Sequence, residues 1–301
     1  MVSRVIVAAV MLLSFPFLAQ AKIKVVASIF PCYELAREIG GERTEVSILL
    51  PPGVEAHAFD PSPGKIFSLN KSDVFIYMNK YMEPWVADML KSMPRVGIIV
   101  VDLGEGIHFI KANDDEKGRE PHGADPHTWL DMRNTALMAD NIAKVFAKRD
   151  PIGAKDYFKN ASIYKKKLEA LDRAYVETIK KCRLKRLYFA GHYAFGYFSE
   201  RYGLEYTSPY KGYSPDAEPS PKSIIELIKA IKKNGVKYLY HEELISPKIA
   251  EVISNETGCE LLRLSAAHNV TKVEIESGKT FIDIMKENLV NLKKGLEWQA
   301  K

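Results

Sequence analysis

The chain has 301 residues, 47% of them apolar and 27% charged, with 43 basic against 38 acidic side chains. That length exceeds what one hydrophobic core usually serves, and the composition is that of a globular chain rather than a disordered or fibrous one. A net charge of +5, spread over scattered pairs such as Lys180-Lys181 and Lys232-Lys233, excludes the dense basic patch of a nucleic-acid binder.

Residues 1–21 read as a leader. Arg4 is a positive start, residues 5–18 are apolar, and Ala19-Gln20-Ala21 is a small-x-small cleavage site. The apolar run falls short of the ~20 residues a membrane span needs and contains Pro16. A signal peptide removed after Ala21 is therefore expected, and the product is exported, periplasmic or extracytoplasmic. Residues 25–30 form an apolar run suited to a parallel strand covered on both faces. A helix follows with Cys32, Leu35, Ala36 and Ile39 on one face, stopped by Gly40-Gly41. Strands are expected at 46–50, 74–78 and 97–101, with a short helix at 65–70 and another at 83–93. Residues 111–125 break the alternation: Asp114, Asp115, Glu116, Glu120 and His122 make a solvated surface loop, with weak metal capture as the alternative.

From Pro151 to Lys181 the pattern is one long helix. Tyr164, Leu168, Leu171, Tyr175 and Ile179 step along a single stripe, and the whole would run about 45 Å. The alternation then restarts, with strands at 187–189, 205–207, 236–240 and 261–264. Helices are expected at 193–202, 223–233 and 247–257, and a closing one through Phe281, Met285, Leu289, Leu292 and Leu296. The expected fold is α/β: two similar lobes with mostly parallel sheets, joined by one long rigid helix. The boundaries are 1–21 for the signal peptide, 22–150 for the N-terminal lobe, 151–182 for the connecting helix and 183–301 for the C-terminal lobe. Cys32, Cys182 and Cys259 show no Cys-x-x-Cys spacing and are poor metal-ligand candidates; one disulfide among them is allowed, with no pairing favoured.

Chemistry concentrates in three loops. His57 stands within a proline-rich stretch after a strand, His127 follows Asp125-Pro126, and His192 follows Gly191 at the end of another strand. Taken singly, such a histidine is more often structural than a ligand; three in loops marked by Pro or Gly point to a shared cation. Ligands of open α/β sheets bind beyond the carboxyl ends of strands, so two facing lobes place the site in the cleft between them. The loop after Leu264 is a fourth contributor. Neutral imidazoles suit zinc, and each ring needs its second nitrogen held; Asp60, Asp125 and Glu242 are available for that. His241 precedes Glu242-Glu243, which reads as a helix start, and fits less well, as do His108, His122 and His268.

The segments Pro51-Pro52-Gly53-Val54-Glu55-Ala56-His57-Ala58-Phe59-Asp60-Pro61-Ser62-Pro63, Asp125-Pro126-His127-Thr128-Trp129-Leu130-Asp131, Gly191-His192-Tyr193-Ala194-Phe195-Gly196, Ala217-Glu218-Pro219-Ser220 and Asn288-Leu289 together resemble one family. It is the zinc- and manganese-binding receptors of bacterial ABC importers, the cluster A-I substrate-binding proteins. The resemblance implies two α/β lobes on a backbone helix with metal in the cleft, His57, His127 and His192 as ligands, and a membrane permease as partner of a monomeric receptor. Three histidines resemble the zinc branch more than the manganese branch. The family commonly carries an acidic ligand after the last strand; here Leu264-Ser265-Ala266-Ala267-His268 has no carboxylate, so water or His268 completes the shell.

The leading reading is an exported receptor delivering zinc to an ABC importer, with manganese or iron on the same fold as the alternative. A zinc hydrolase needs a general base beside the bound water, and no motif positions Glu55 or Asp60 for that. The expectation is a binding protein and not an enzyme.

Overall fold

The computed structural model describes residues 21–57, 59–92, 97–111, 123–213, 218–243 and 247–299. The leader up to residue 20 and most of the charged loop, including His122, lie outside them. The first sheet has four parallel strands in the order β2-β1-β3-β4: β1 (Ile23–Ala27), β2 (Thr44–Ile48), β3 (Val74–Tyr77) and β4 (Ile99–Asp102). It ends earlier than the apolar run suggested, because Phe30 is already the first residue of α1 (Phe30–Gly40). Pro31 sits in the first turn, where its missing N–H costs nothing. Cys32, Leu35, Ala36 and Ile39 are all buried on the face that packs on the sheet. The short helices α2 (Pro63–Leu69) and α3 (Trp85–Ser92) cover the other face.

Then comes a helix for which the sequence reading has no counterpart, α4 (Met132–Arg149). Asp131 caps it by accepting from the Arg133 N–H, and its buried stripe is Met138, Ala139, Ile142, Ala143 and Phe146. It packs along α5 (Ala154–Lys180). Pro151 belongs to a separate 3-10 turn, Pro151–Gly153, so the long helix has 27 residues and runs about 40 Å. All five residues of its expected stripe are buried. Its first half meets α1, where the Asn160 amide donates to the Ile39 carbonyl at 3.1 Å. Its second half meets the far lobe, where the Tyr175 hydroxyl donates to the Met285 carbonyl at 2.5 Å.

The second lobe is built from α6 (Gly196–Tyr202), α7 (Pro221–Asn234), α8 (Lys248–Thr257), α9 (Lys272–Glu276) and α10 (Phe281–Gly295) on two parallel strand pairs. These are β5 (Arg186–Tyr188) with β6 (Glu205–Thr207), and β7 (Tyr238–His241) with β8 (Glu260–Arg263). A parallel bridge between Phe189 and Tyr240 joins the two pairs edge to edge. The molecule is thus α/β with parallel sheets in two lobes and one long helix in contact with both. The three cysteines are buried free thiols.

One buried acid links the lobes. Glu34 of α1 accepts from the Phe281 N–H at the start of α10 at 3.1 Å. Burial pushes its pKa from 4.5 up to about 7. An acid whose pKa rises on folding holds its proton more tightly in the native state, so the native state loses stability as pH climbs through that interval, by about 3 kcal/mol. Glu34→Gln keeps an acceptor for Phe281 and removes the charge. Thermal unfolding of the metal-free protein should show the variant more stable than the parent at pH 8 and equal to it near pH 4.5; equal melting at both would refute this account.

Candidate metal centre

The loops beyond the strand ends of both lobes converge on four imidazoles: His57, His127, His192 and His268. His57 lies in the loop after β2, where Gly53 turns the chain at a φ of 80° and its N–H donates to the Val270 carbonyl at 2.9 Å. Its own N–H donates to Glu55 Oε1 at 2.9 Å. His127 is fully buried. Asp125 Oδ1 accepts from both its backbone N–H, at 3.0 Å, and its ring Nδ1, at 2.7 Å. The Asn79 amide holds the same loop by donating to the Pro126 carbonyl at 2.9 Å.

His192 follows β5 and is held in the same way from the opposite lobe. Glu242 Oε1 accepts from its N–H at 2.8 Å and Glu242 Oε2 from its Nδ1 at 2.5 Å. That approach needs Gly191: a Cβ there would lie 2.4 Å from Glu242 Oε1. His268 comes from the loop after β8, next to Ala267, which adopts a φ of 57° that a residue with a Cβ rarely takes. Its Nδ1 is 3.7 Å from Glu243 Oε1, and its buried Nε2 has no hydrogen-bond partner.

The six ring-centroid separations among the four histidines run only from 4.9 to 5.2 Å. The rings therefore sit at the corners of a nearly regular tetrahedron. His127 Nε2 is 3.2 Å from His57 Nε2 and 3.3 Å from His192 Nε2. Zinc–nitrogen bonds of ~2.0–2.1 Å in a tetrahedron require ligand atoms about 3.3–3.4 Å apart, so this spacing matches without rearrangement. A carboxylate only accepts, so Asp125 and Glu242 keep a proton on the Nδ1 of their rings and turn the Nε2 inward.

Burial, and then the neighbouring rings, hold His57 and His127 well below the usual histidine range, so both are neutral at physiological pH. Burial also pulls on His192, but the charge and hydrogen bond of Glu242 outweigh it and hold that ring above the usual range. Burial works against the charged form of Glu243, yet the facing His268 holds its pKa low. Neutral lone pairs facing one another at this distance repel unless a proton or a cation sits between them. The arrangement is chemically a receptor for a borderline-soft dication.

His57, His127, His192 and His268 come together, Asp125 and Glu242 stand behind two of them, and Asp60 is exposed with no hydrogen bond to any of the rings. Glu242 and Glu243 do not start a helix: β7 ends at His241, both acids are buried beneath the site, and α8 begins at Lys248. Sequence reasoning missed Glu243, Asn79, Asn269 and Trp129, whose indole N–H donates to the Ala266 carbonyl at 2.8 Å across the lobes. The signal available for Glu243 was a pair of acids directly beyond a strand end.

A family model described as ZnuA, zinc-uptake complex component A, periplasmic, matches residues 25–295. The high-affinity zinc uptake system protein ZnuA of Bacillus subtilis is 35% identical over 282 residues, covering 91% of this chain and 88% of that protein. The zinc-binding protein AdcA of Streptococcus pyogenes serotype M18 is 34% identical over 293 residues, covering 92% of this chain and 56% of that protein, so the chain spans about half of that relative. Among solved structures, the Zn(II)-bound ZnuA-like domain of Streptococcus pneumoniae AdcA superposes with a TM-score of 0.79 at 27% identity, covering 92% of this chain and 100% of that one. The metal-dependent lipoprotein YcdH from Bacillus subtilis also gives 0.79, at 36% identity, covering 91% of this chain and 99% of that one.

Proposed function

The chain belongs to the ZnuA family of zinc-uptake components, and from that premise we propose that it captures zinc through His57, His127, His192 and His268 and hands it to an ABC-type importer in the membrane. It is a binding protein and not an enzyme, as its relatives are. The observation that carries the ligand set is the tetrahedron of rings, with Nε2 atoms 3.2 and 3.3 Å apart. On this reading His268 takes the fourth position, Asp125 and Glu242 orient two of the ligands, and Glu243 stands behind the fourth. The protein works outside the cytoplasm, released there as a monomer after cleavage of residues 1–21, with lobes at 22–150 and 183–301 on the helix between them.

An all-imidazole shell favours zinc over manganese, since harder cations prefer oxygen donors. Capture needs no large rearrangement, because the rings already stand at zinc distance. Handover follows on docking to the permease.

Zinc should stabilise the fold by mass action. At about a thousand times its Kd it adds about 4 kcal/mol, which raises Tm by about 7 °C in a chain of this size. Calorimetry with zinc, with manganese and with a chelator checks this. A large shift with zinc, a smaller one with manganese and reversal by the chelator are expected. No shift with zinc would sink the reading.

A further inference from the structure

Asn269 follows His268 directly in the chain, and its side chain is buried. Its single amide nitrogen donates twice, to the Pro51 carbonyl at 2.7 Å and the Val54 carbonyl at 2.8 Å. Both acceptors belong to the loop that carries His57, more than two hundred residues away in sequence. The same two loops are joined by the Gly53 N–H on the Val270 carbonyl. An amide NH2 has two hydrogens, and here both are used on one partner loop.

The His268 loop is in turn fixed from its own lobe. Asn288 pairs with both the N–H and the carbonyl of Ser265, at 2.9 and 2.7 Å, and Glu243 accepts from the Ala266 N–H at 3.2 Å. This loop is therefore rigid on one side and tied to the His57 loop on the other. Glu55 beside His57 and Asn269 beside His268 line one small cavity against the site.

We infer that Asn269 is a positioning residue for metal capture: its amide locks the His57 loop to the His268 loop, so that two donors from opposite lobes are set as one unit. This rests on the proposed ligand set. Without the two hydrogen bonds the His57 loop keeps, among the described residues, the Gly53 backbone bond to this segment, and His57 is the least buried of the four histidines. Zinc would leave by way of that side.

The test is zinc release from the full chain to a chromophoric chelator, together with the visible absorption of the Co(II)-loaded protein, in Asn269→Ala and Asn269→Asp. Release about ten- to a hundredfold faster is expected, with weakened Co(II) absorption as tetrahedral coordination loosens. A purely structural asparagine would lower the melting temperature of the metal-free protein and leave both metal readouts unmoved. Should the alanine variant not fold, the aspartate variant, which keeps the shape, loses both donors and sets a carboxylate oxygen against the Pro51 and Val54 carbonyls, is read in the same way. Wild-type protein that holds no zinc overturns the ligand set and this inference together. Zinc held by the wild type and released by both variants at the wild-type rate overturns this inference alone.

Discussion

His127→Ala should weaken zinc binding by about two to three orders of magnitude. Structural zinc sites hold their ion with about 10–16 kcal/mol over four ligands, so one imidazole carries about 2.5–4 kcal/mol, or about 10²- to 10³-fold in Kd. His127 is the central choice because its Nε2 faces both His57 and His192, and because its ring is fully buried. Water entering the vacated space could take the fourth position but would supply a weaker donor. A competition titration against a chelator of known affinity measures the loss. His108→Ala, which is not among the four clustered histidines, is the control and should bind as the parent does. An unchanged Kd for His127→Ala would remove the site from consideration.

The second large effect concerns a residue that touches no metal. Glu242→Gln should weaken zinc binding about ten- to a hundredfold, the usual cost of losing a partner behind a ligating histidine. Glu242 accepts from His192 at two points, the backbone N–H and Nδ1. A glutamine offers one oxygen, so either the backbone or the ring loses its acceptor. Where the ring loses it, the proton can move to Nε2 and block the lone pair meant for zinc.

The same pair sets the pH behaviour. Glu242 raises the pKa of His192, so in the metal-free protein this ring keeps its proton to a higher pH than an ordinary histidine. Zinc must displace that proton, and affinity therefore falls as pH falls through the His192 pKa. His57 and His127, held low, join the competition only in more acidic solution. With the carboxylate gone, the His192 pKa drops, and the variant should bind more weakly at pH 8 yet lose less on acidification. Kd measured across about pH 5.5 to 8 separates this from a simple loss of packing, which would shift the whole curve without changing its slope.

Much of this site could be read in the chain because three of its histidines stand in loops marked by proline or glycine. Pro51, Pro52 and Gly53 announce the His57 loop, Pro126 the His127 loop and Gly191 the His192 loop, and the first and last of these follow apolar strands. His268 carries no such mark. Its loop is shaped by Asn288, Glu243 and Trp129, which are remote in sequence, and by an alanine in a glycine-like conformation, so local composition is silent about it. The helix α4 escaped for a different reason. Its buried stripe is made of Met, Ala, Ile and Phe, with small alanines at two of the five positions, and stands out less than the Tyr and Leu ladder of α5. Glu242 and Glu243 resembled a helix start because acids favour first turns; that their charges serve buried rings instead is decided by β7 and β8 pairing beside β5.

A pocket furnished only with imidazoles has an awkward corollary. Every such nitrogen set binds Cu(II) more tightly than Zn(II), following the general order of divalent affinities. The donors themselves therefore offer no protection against mismetallation by copper. What remains is shape: Cu(II) favours a flattened, tetragonal arrangement, whereas these four rings are pinned at mutual separations of 4.9 to 5.2 Å from two different lobes. Rejection of the wrong ion is thus a duty of the scaffold, and anything that lets the frame flatten should be felt first as copper poisoning.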